Sequence, residues 1–172
     1  MTKTKITDVV VLSQKSRKPG ENPGARLKFS MQASNDALAM FDSFLKSMLY
    51  SKSAASSSSK KQKDLDGVEP VTDMPNLTAL GMKLGALHWS EIATGYELTI
   101  YHGMGGASNV VLAACTISKF KLKPNEGGTV DIDWLVESQD VPEAVFGKLA
   151  TLKNIEVQIT LIAPVVVQGE VS

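Results

Sequence analysis

The sequence predicts an α+β fold, an antiparallel sheet with two helices packed on one face. Three observations lead there. Residues 34–51 and 140–154 repeat apolar side chains at spacings of three and four, the period of a helix with one buried face. Several other stretches alternate apolar and polar residues, the period of a half-buried strand. The order strand, helix, strand then occurs twice.

The elements follow in chain order. "ITDVVVLS" (6–13) is rich in β-branched residues and reads as a strand. "QKSRKPGENPGAR" holds two Pro/Gly breaks and reads as a loop. "RLKFSMQ" (26–32) alternates, with Leu27, Phe29 and Met31 on one face. Residues 34–51 form a helix capped at Ser34 or Asn35, with Leu38, Phe41, Phe44, Leu45, Met48 and Leu49 as its core stripe. Residues 51–76 are Ser-rich, then basic, then acidic, with too little apolar surface to repay ordering. "LTALGMKLGALHW" (77–89) reads as a strand, because two glycines disfavour a helix. "GYELTIYHG" (95–103), "SNVVLAACTISKFKLK" (108–123) and "TVDIDWLVES" (129–138) are further strands, the second long enough to bend or bulge. Residues 140–154 form the second helix, with a capping-box pattern at Asp140 and Glu143. Gly147 within it suggests close packing. "IEVQITLIAP" (155–164) is a strand, and the apolar tail beyond it can add an edge strand.

The expected organisation is a single domain, 1–172, with a mobile Ser/Lys/Asp-rich insertion at about 52–75. Strand 26–32, helix 34–51 and strand 77–89 make one β-α-β unit. Strand 129–138, helix 140–154 and strand 155–164 make another, giving pseudo-repeat halves of about 1–108 and 109–172.

Formal net charge is zero, but it is segregated. Residues 1–63 carry twelve Lys and Arg against four Asp and Glu, a net +8. Residues 64–172 carry six Lys against fourteen acids, a net −8. Such asymmetry points to nucleic acid or an acidic partner, or to halves that neutralise each other. The phosphate-contact candidates are Lys15, Arg17, Lys18, Lys46, Lys52, Lys60, Lys61 and Lys63.

Lys119, Lys121 and Lys123 form a stripe that invites the same interpretation. A hairpin turning at 124–128 explains the stripe differently. It sets Lys121 opposite Asp131 and Lys119 opposite Asp133, so unlike charges match across the ladder. The single Cys115 lies in an apolar run and is expected in the core. His88 and His102 have no metal-ligand spacing, and the acids Asp131, Asp133, Glu137 and Asp140 could in principle hold Mg²⁺, but the hairpin pairing gives Asp131 and Asp133 a cheaper account. The glycines of "YHGMGGASN" (101–109) precede a strand, where a phosphate loop requires a helix. No catalytic residue, metal or cofactor is therefore expected. No apolar run is long enough to cross a membrane, and cytoplasmic residence is expected.

The stretch "EGGTVDIDWLVESQDVPEAVFGKLATLKNIEVQITL" (126–161) resembles a recurring segment of small tailed-bacteriophage proteins from replication and recombination regions. The element order is separately similar to a domain of a DNA sliding clamp, although the helices carry few cations: Lys46, with Lys52 just beyond it, on one, and Lys148 and Lys153 on the other. These resemblances imply a non-enzymatic accessory protein of phage DNA metabolism, clamp-like or otherwise DNA-associated, and a homo-oligomer in the host-cell cytoplasm. Its partner would be DNA, bound electrostatically and without sequence preference, or a protein of the replication or recombination machinery. The alternatives are a protein-interaction module that inhibits a host enzyme or defence system, and a single-stranded DNA binding or annealing protein. Aromatic platforms are scarce for the last of these, with Trp89, Tyr101 and Trp134 as the exceptions.

Overall fold

A computed structural model describes residues 2–12, 18–53 and 72–165. The protein is mainly β, and its centre is a closed antiparallel barrel. The barrel strands are β1 (Thr2–Leu12), β2 (Gly24–Ser34), β6 (Ala93–Tyr101), β7 (Val110–Asn125), β8 (Thr129–Ser138) and β9 (Glu156–Ile162). Their order is β7-β6-β9-β1-β2-β8, and pairing of β8 back to β7 closes the ring. Short strand β5 (Leu87–Trp89) adds to β7. β3 (Tyr50–Ser51) and β4 (Asn76–Leu77) pair apart from the ring.

This corrects the expected α+β sheet with two helices on one face and two β-α-β units. A β-α-β unit needs parallel neighbouring strands. Here β8 and β9, which flank helix α3 (Glu143–Thr151), are separated in the ring by β2 and β1. β1 meets both β2 and β9 antiparallel, and β6 meets both β7 and β9 antiparallel. β4, which follows the first helical region, pairs only with β3. The clamp-like topology goes with the units that suggested it.

The chain divides into two compact units. The first comprises residues 1–31, 90–120 and 133–172; the second comprises 32–89 and 121–132. The first unit holds most of the barrel, and the second takes one end of β2, β7 and β8. The barrel interior is filled by alternate residues of every strand, among them Ile6, Leu27, Phe29, Leu98, Ile100, Leu112, Trp134 and Ile159. Phe29 and Trp134 stack with ring centroids 5.5 Å apart. Eight strands leave just enough room for packed side chains or one small ligand, so six leave a side-chain core. Among the described residues, the Trp134 Nε1 is the buried side-chain polar atom without a hydrogen-bond partner.

α3 starts at Glu143, and no side chain caps it. The expected capping box does not form because Asp140 is engaged elsewhere, accepting from Asn22 Nδ2 at 2.8 Å. Val141 N instead donates to the Pro23 carbonyl. A Cβ on Gly147 would meet nothing within 4 Å, which corrects the expectation of close packing there.

The second unit rebuilds the expected helix 34–51 as two short pieces. A 3-10 helix spans Asn35–Met40, and helix α1 spans Leu45–Leu49. Ser34 Oγ accepts from Asp36 N at the start. Asp42 Oδ1 accepts from Phe44 N at 2.7 Å, a local side-chain bond that halts one helix and opens the next. Leu38 and Leu49 are buried, but Phe44 and Met48 of the expected core stripe are exposed.

The expected strand 77–89 contains a helix. Thr78 Oγ1 accepts from Gly81 N and caps α2 (Ala79–Leu84). Gly85, at φ +62°, ends it. Gly81 lies against the Leu49 carbonyl, where a Cβ would sit 2.4 Å from the oxygen. The glycines that seemed to exclude a helix thus serve one as close contact and terminator. Phe41 and Trp89 meet edge to face, centroids 6.0 Å apart.

Within this unit, Tyr50 anchors the turn between β7 and β8. Its Oη accepts from Asn125 N at 3.0 Å and donates to the Thr129 carbonyl at 2.5 Å. Burial pushes its hydroxyl pKa up to about 12. The buried Asn35 donates Nδ2 to the Met74 carbonyl and accepts from Thr72 Oγ1 at its own Oδ1. Residues 54–71, most of the expected insertion, lie outside the described residues.

Candidate nucleic-acid interface

β1 begins at Thr2, four residues before the expected strand, and the extension matters. Thr4 and Ile6 are buried, so Lys3 and Lys5 point outward by alternation. In β2, Lys28 lies between buried Leu27 and Phe29 and also points outward. In β9, Gln158 lies between buried Val157 and Ile159. In β6, Tyr101 follows buried Ile100.

Strand register sets these residues in rows across the barrel's outer surface. Tyr101 pairs with Gln158, and Gln158 pairs with Lys3. In another row, Glu156 pairs with Lys5 and Lys5 with Ser30. A bulge at Thr7 then brings Asp8 opposite Lys28. Four adjacent strands, β6, β9, β1 and β2, therefore present one aromatic ring, three lysines, hydroxyl and amide groups, and the carboxylates of Glu156 and Asp8. Tyr101 Oη accepts from Thr160 Oγ1 at 3.3 Å, which fixes the ring against this surface.

Of the two carboxylates on these rows, Glu156 and Asp8, the second is already paired. Lys153 Nζ binds Asp8 Oδ1 at 2.9 Å and holds that carboxyl below its usual range. Arg26 Nε forms a second ion pair, with Glu137 Oε1 at 2.5 Å. Among the described residues, Lys3, Lys5 and Lys28 have no ion-pair partner, and the nearest cross-strand acid to Lys5 is Glu156.

The candidates chosen from sequence fare unevenly. Lys15, Arg17, Lys60, Lys61 and Lys63 lie outside the described residues. Lys18 is exposed at a turn, its backbone N–H donating to Glu21 Oε2. Lys52 is exposed, and its carbonyl accepts from Asn76 Nδ2. Lys46 is bound by both Asp36 and Asp73, which raise its pKa while it lowers theirs. A lysine between two carboxylates offers a phosphate a net negative cluster, so Lys46 is a poor contact. Lys3, Lys5 and Lys28 were the residues sequence inspection missed. The alternation "TKTKI" carries the signal for Lys3 and Lys5, where polar residues on both faces hide a strand, and Lys28 stands on the polar face of the alternating "RLKFSMQ".

The Lys119–Lys123 stripe is a hairpin arm, but not the charge ladder expected. β7 runs on to Asn125, and the turn is Glu126–Gly128, with Gly127 and Gly128 at positive φ. Lys119 itself sits at φ +54°, which breaks the alternation. Neither Lys119–Asp133 nor Lys121–Asp131 forms an ion pair; Asp131 accepts from Gln32 Nε2 instead.

Other chemistry finds little support. Cys115 is buried, its thiol donates to the Leu112 carbonyl, and burial pushes its pKa to about 11. Among the described residues, no group of three or more His, Cys, Asp and Glu is placed to hold a metal. The glycine loop after β6 joins it to antiparallel β7. Among the described residues, no helix is long and apolar enough to cross a membrane. No family model matches the chain, and no curated protein or solved structure matches it significantly.

Proposed function

We propose that this protein is a non-enzymatic accessory factor that binds single-stranded nucleic acid on the outer face of β6, β9, β1 and β2. One observation carries this: the register that gathers Tyr101, Lys3, Lys5 and Lys28 on a single surface. Sequence-independent single-strand binding combines cations along the backbone with an aromatic face for bases. The setting is the one implied by the C-terminal resemblance, phage replication or recombination in the host cytoplasm. Direct electrostatic contact replaces the clamp-like mode.

Fluorescence anisotropy with a labelled oligo-dT tests it. Affinity should fall steeply with salt, by about two decades per decade of salt if three phosphates are engaged. The triple variant Lys3→Glu, Lys5→Glu, Lys28→Glu should flatten that dependence. Tyr101→Ala should weaken binding by roughly 1–3 kcal/mol. Absence of binding at low salt sinks the proposal. Binding that survives the triple variant, but is lost on replacing Lys15, Arg17, Lys60, Lys61 and Lys63, moves the contact to those residues. A preference for duplex removes the stacking role of Tyr101.

A further inference from the structure

The 3-10 helix, α1 and α2 pack on one another, yet they leave large apolar side chains in solvent. Met40, Phe44, Met48, Leu80, Met82 and Leu84 are between 42% and 72% exposed. Their spacing is regular. Met40, Phe44 and Met48 recur every fourth residue, and Met48 N donates to the Phe44 carbonyl, so the last two share a helix face. Leu80 and Leu84 are likewise four apart on α2.

The segments are rigidly joined rather than loosely exposed. Thr78 Oγ1 donates to the Met48 carbonyl, Thr78 N donates to the Leu49 carbonyl, and Gly81 seats against the same oxygen. A single exposed Leu would need no explanation, but six large apolar residues on three connected segments do.

We infer that this helical surface is the interface of a homodimer, with a second copy of the chain as its occupant. Three considerations favour that occupant. Five of the six keep the four-residue spacing, with Met82 on the other flank of α2, and these five present on the order of 500 Å² of apolar surface. Two copies would then bury about 1,000 Å², the area that a specific interface should clear. The flanking exposed charges on these segments include Asp42 and Lys83, one of each sign, so a two-fold copy can set unlike charges together. Three of the six are methionines, whose flexible side chains adapt to a self-facing surface.

Sedimentation velocity of the full chain over a range of concentrations is the test. The expected result is a concentration-dependent dimer. Phe44→Asp and Leu84→Lys, on two different helices, should each raise the dissociation constant at least tenfold. Lys28→Glu, on the barrel, should leave it unchanged. Circular dichroism of each variant separates lost association from lost folding. If Phe44→Asp fails to fold, Met40→Gln, at the most exposed of the six, takes its place with the same expected direction. A wild-type chain that stays monomeric at high concentration overturns the inference and leaves the surface to a different protein. A dimer unaffected by either helix variant overturns it too, because the interface then lies elsewhere. Oligo-dT binding by the barrel face is read separately, so failure of one proposal does not decide the other.

Discussion

Gly81 and Gly147 both sit within helices, and alanine at the two positions should act in opposite directions. At Gly81 the new Cβ would lie 2.4 Å from the Leu49 carbonyl oxygen, so α2 must move off α1. Overpacking of that kind costs on the order of 1–3 kcal/mol. At Gly147 the new Cβ enters open space in the middle of α3, and the backbone is not at positive φ. There alanine should stabilise by about 0.5–1 kcal/mol, because it restricts the unfolded chain and suits a helix. Urea midpoints of the two variants check both signs. The sequence shows a glycine in each place and nothing more. Its meaning depends on what lies opposite, and that neighbour is distant in sequence for Gly81 and absent for Gly147.

At the scale of elements, most strands and the second helix were legible, whereas the first helical region and the strand expected at 77–89 were not. "RLKFSMQ" and "EVQITL" alternate cleanly, and each lies within an observed strand. The 34–51 stretch carries a convincing helical stripe, yet one carboxylate, Asp42, accepting from Phe44 N splits it. An aspartate in mid-pattern is ambiguous until its side chain chooses between solvent and backbone. The β7–β8 hairpin was legible as a hairpin, but its anchor was not, because Tyr50 reaches it from 75 residues away in sequence. That anchor has a pH signature. The Tyr50 hydroxyl is neutral in the folded protein up to about pH 12, whereas in the unfolded chain it ionises near its ordinary value of 10. Its contribution is fully present below pH 10, declines as pH rises from 10 toward 12, and amounts to roughly 2–3 kcal/mol at most. Tyr50→Phe should cost about 1–3 kcal/mol at neutral pH, by leaving Asn125 N–H and the Thr129 carbonyl without their partner. It should also remove that part of the alkaline loss, as thermal melts from pH 9 to 12 would show.

At the scale of the molecule, closure was the hidden fact. Alternation tells which residues face inward, but it is silent on which strands are neighbours. β9 joins β1 to β6, segments separated by nearly half of the chain, so no local pattern could announce a ring. The same pairing created the candidate interface, since Lys3 and Tyr101 are brought close only by the strand between them. Segregated charge drew attention to cations of the first 63 residues, and Lys3, Lys5 and Lys28 belong to that basic portion. Their common surface, however, is a property of register.

The two ring pairs have a spectroscopic consequence. Trp134 lies stacked on Phe29 in the barrel unit, and Trp89 meets Phe41 in the other. The chain has two tryptophans, one for each unit. Trp89→Phe leaves a fluorophore that is 5% exposed and should emit in the blue. Trp134→Phe leaves the half-buried one, which should emit at longer wavelength. Because β2, β7 and β8 each run through both units, the two emissions should shift at one urea concentration. Two separate midpoints would show instead that the units melt independently. Either way, the native chain carries its own pair of optical probes.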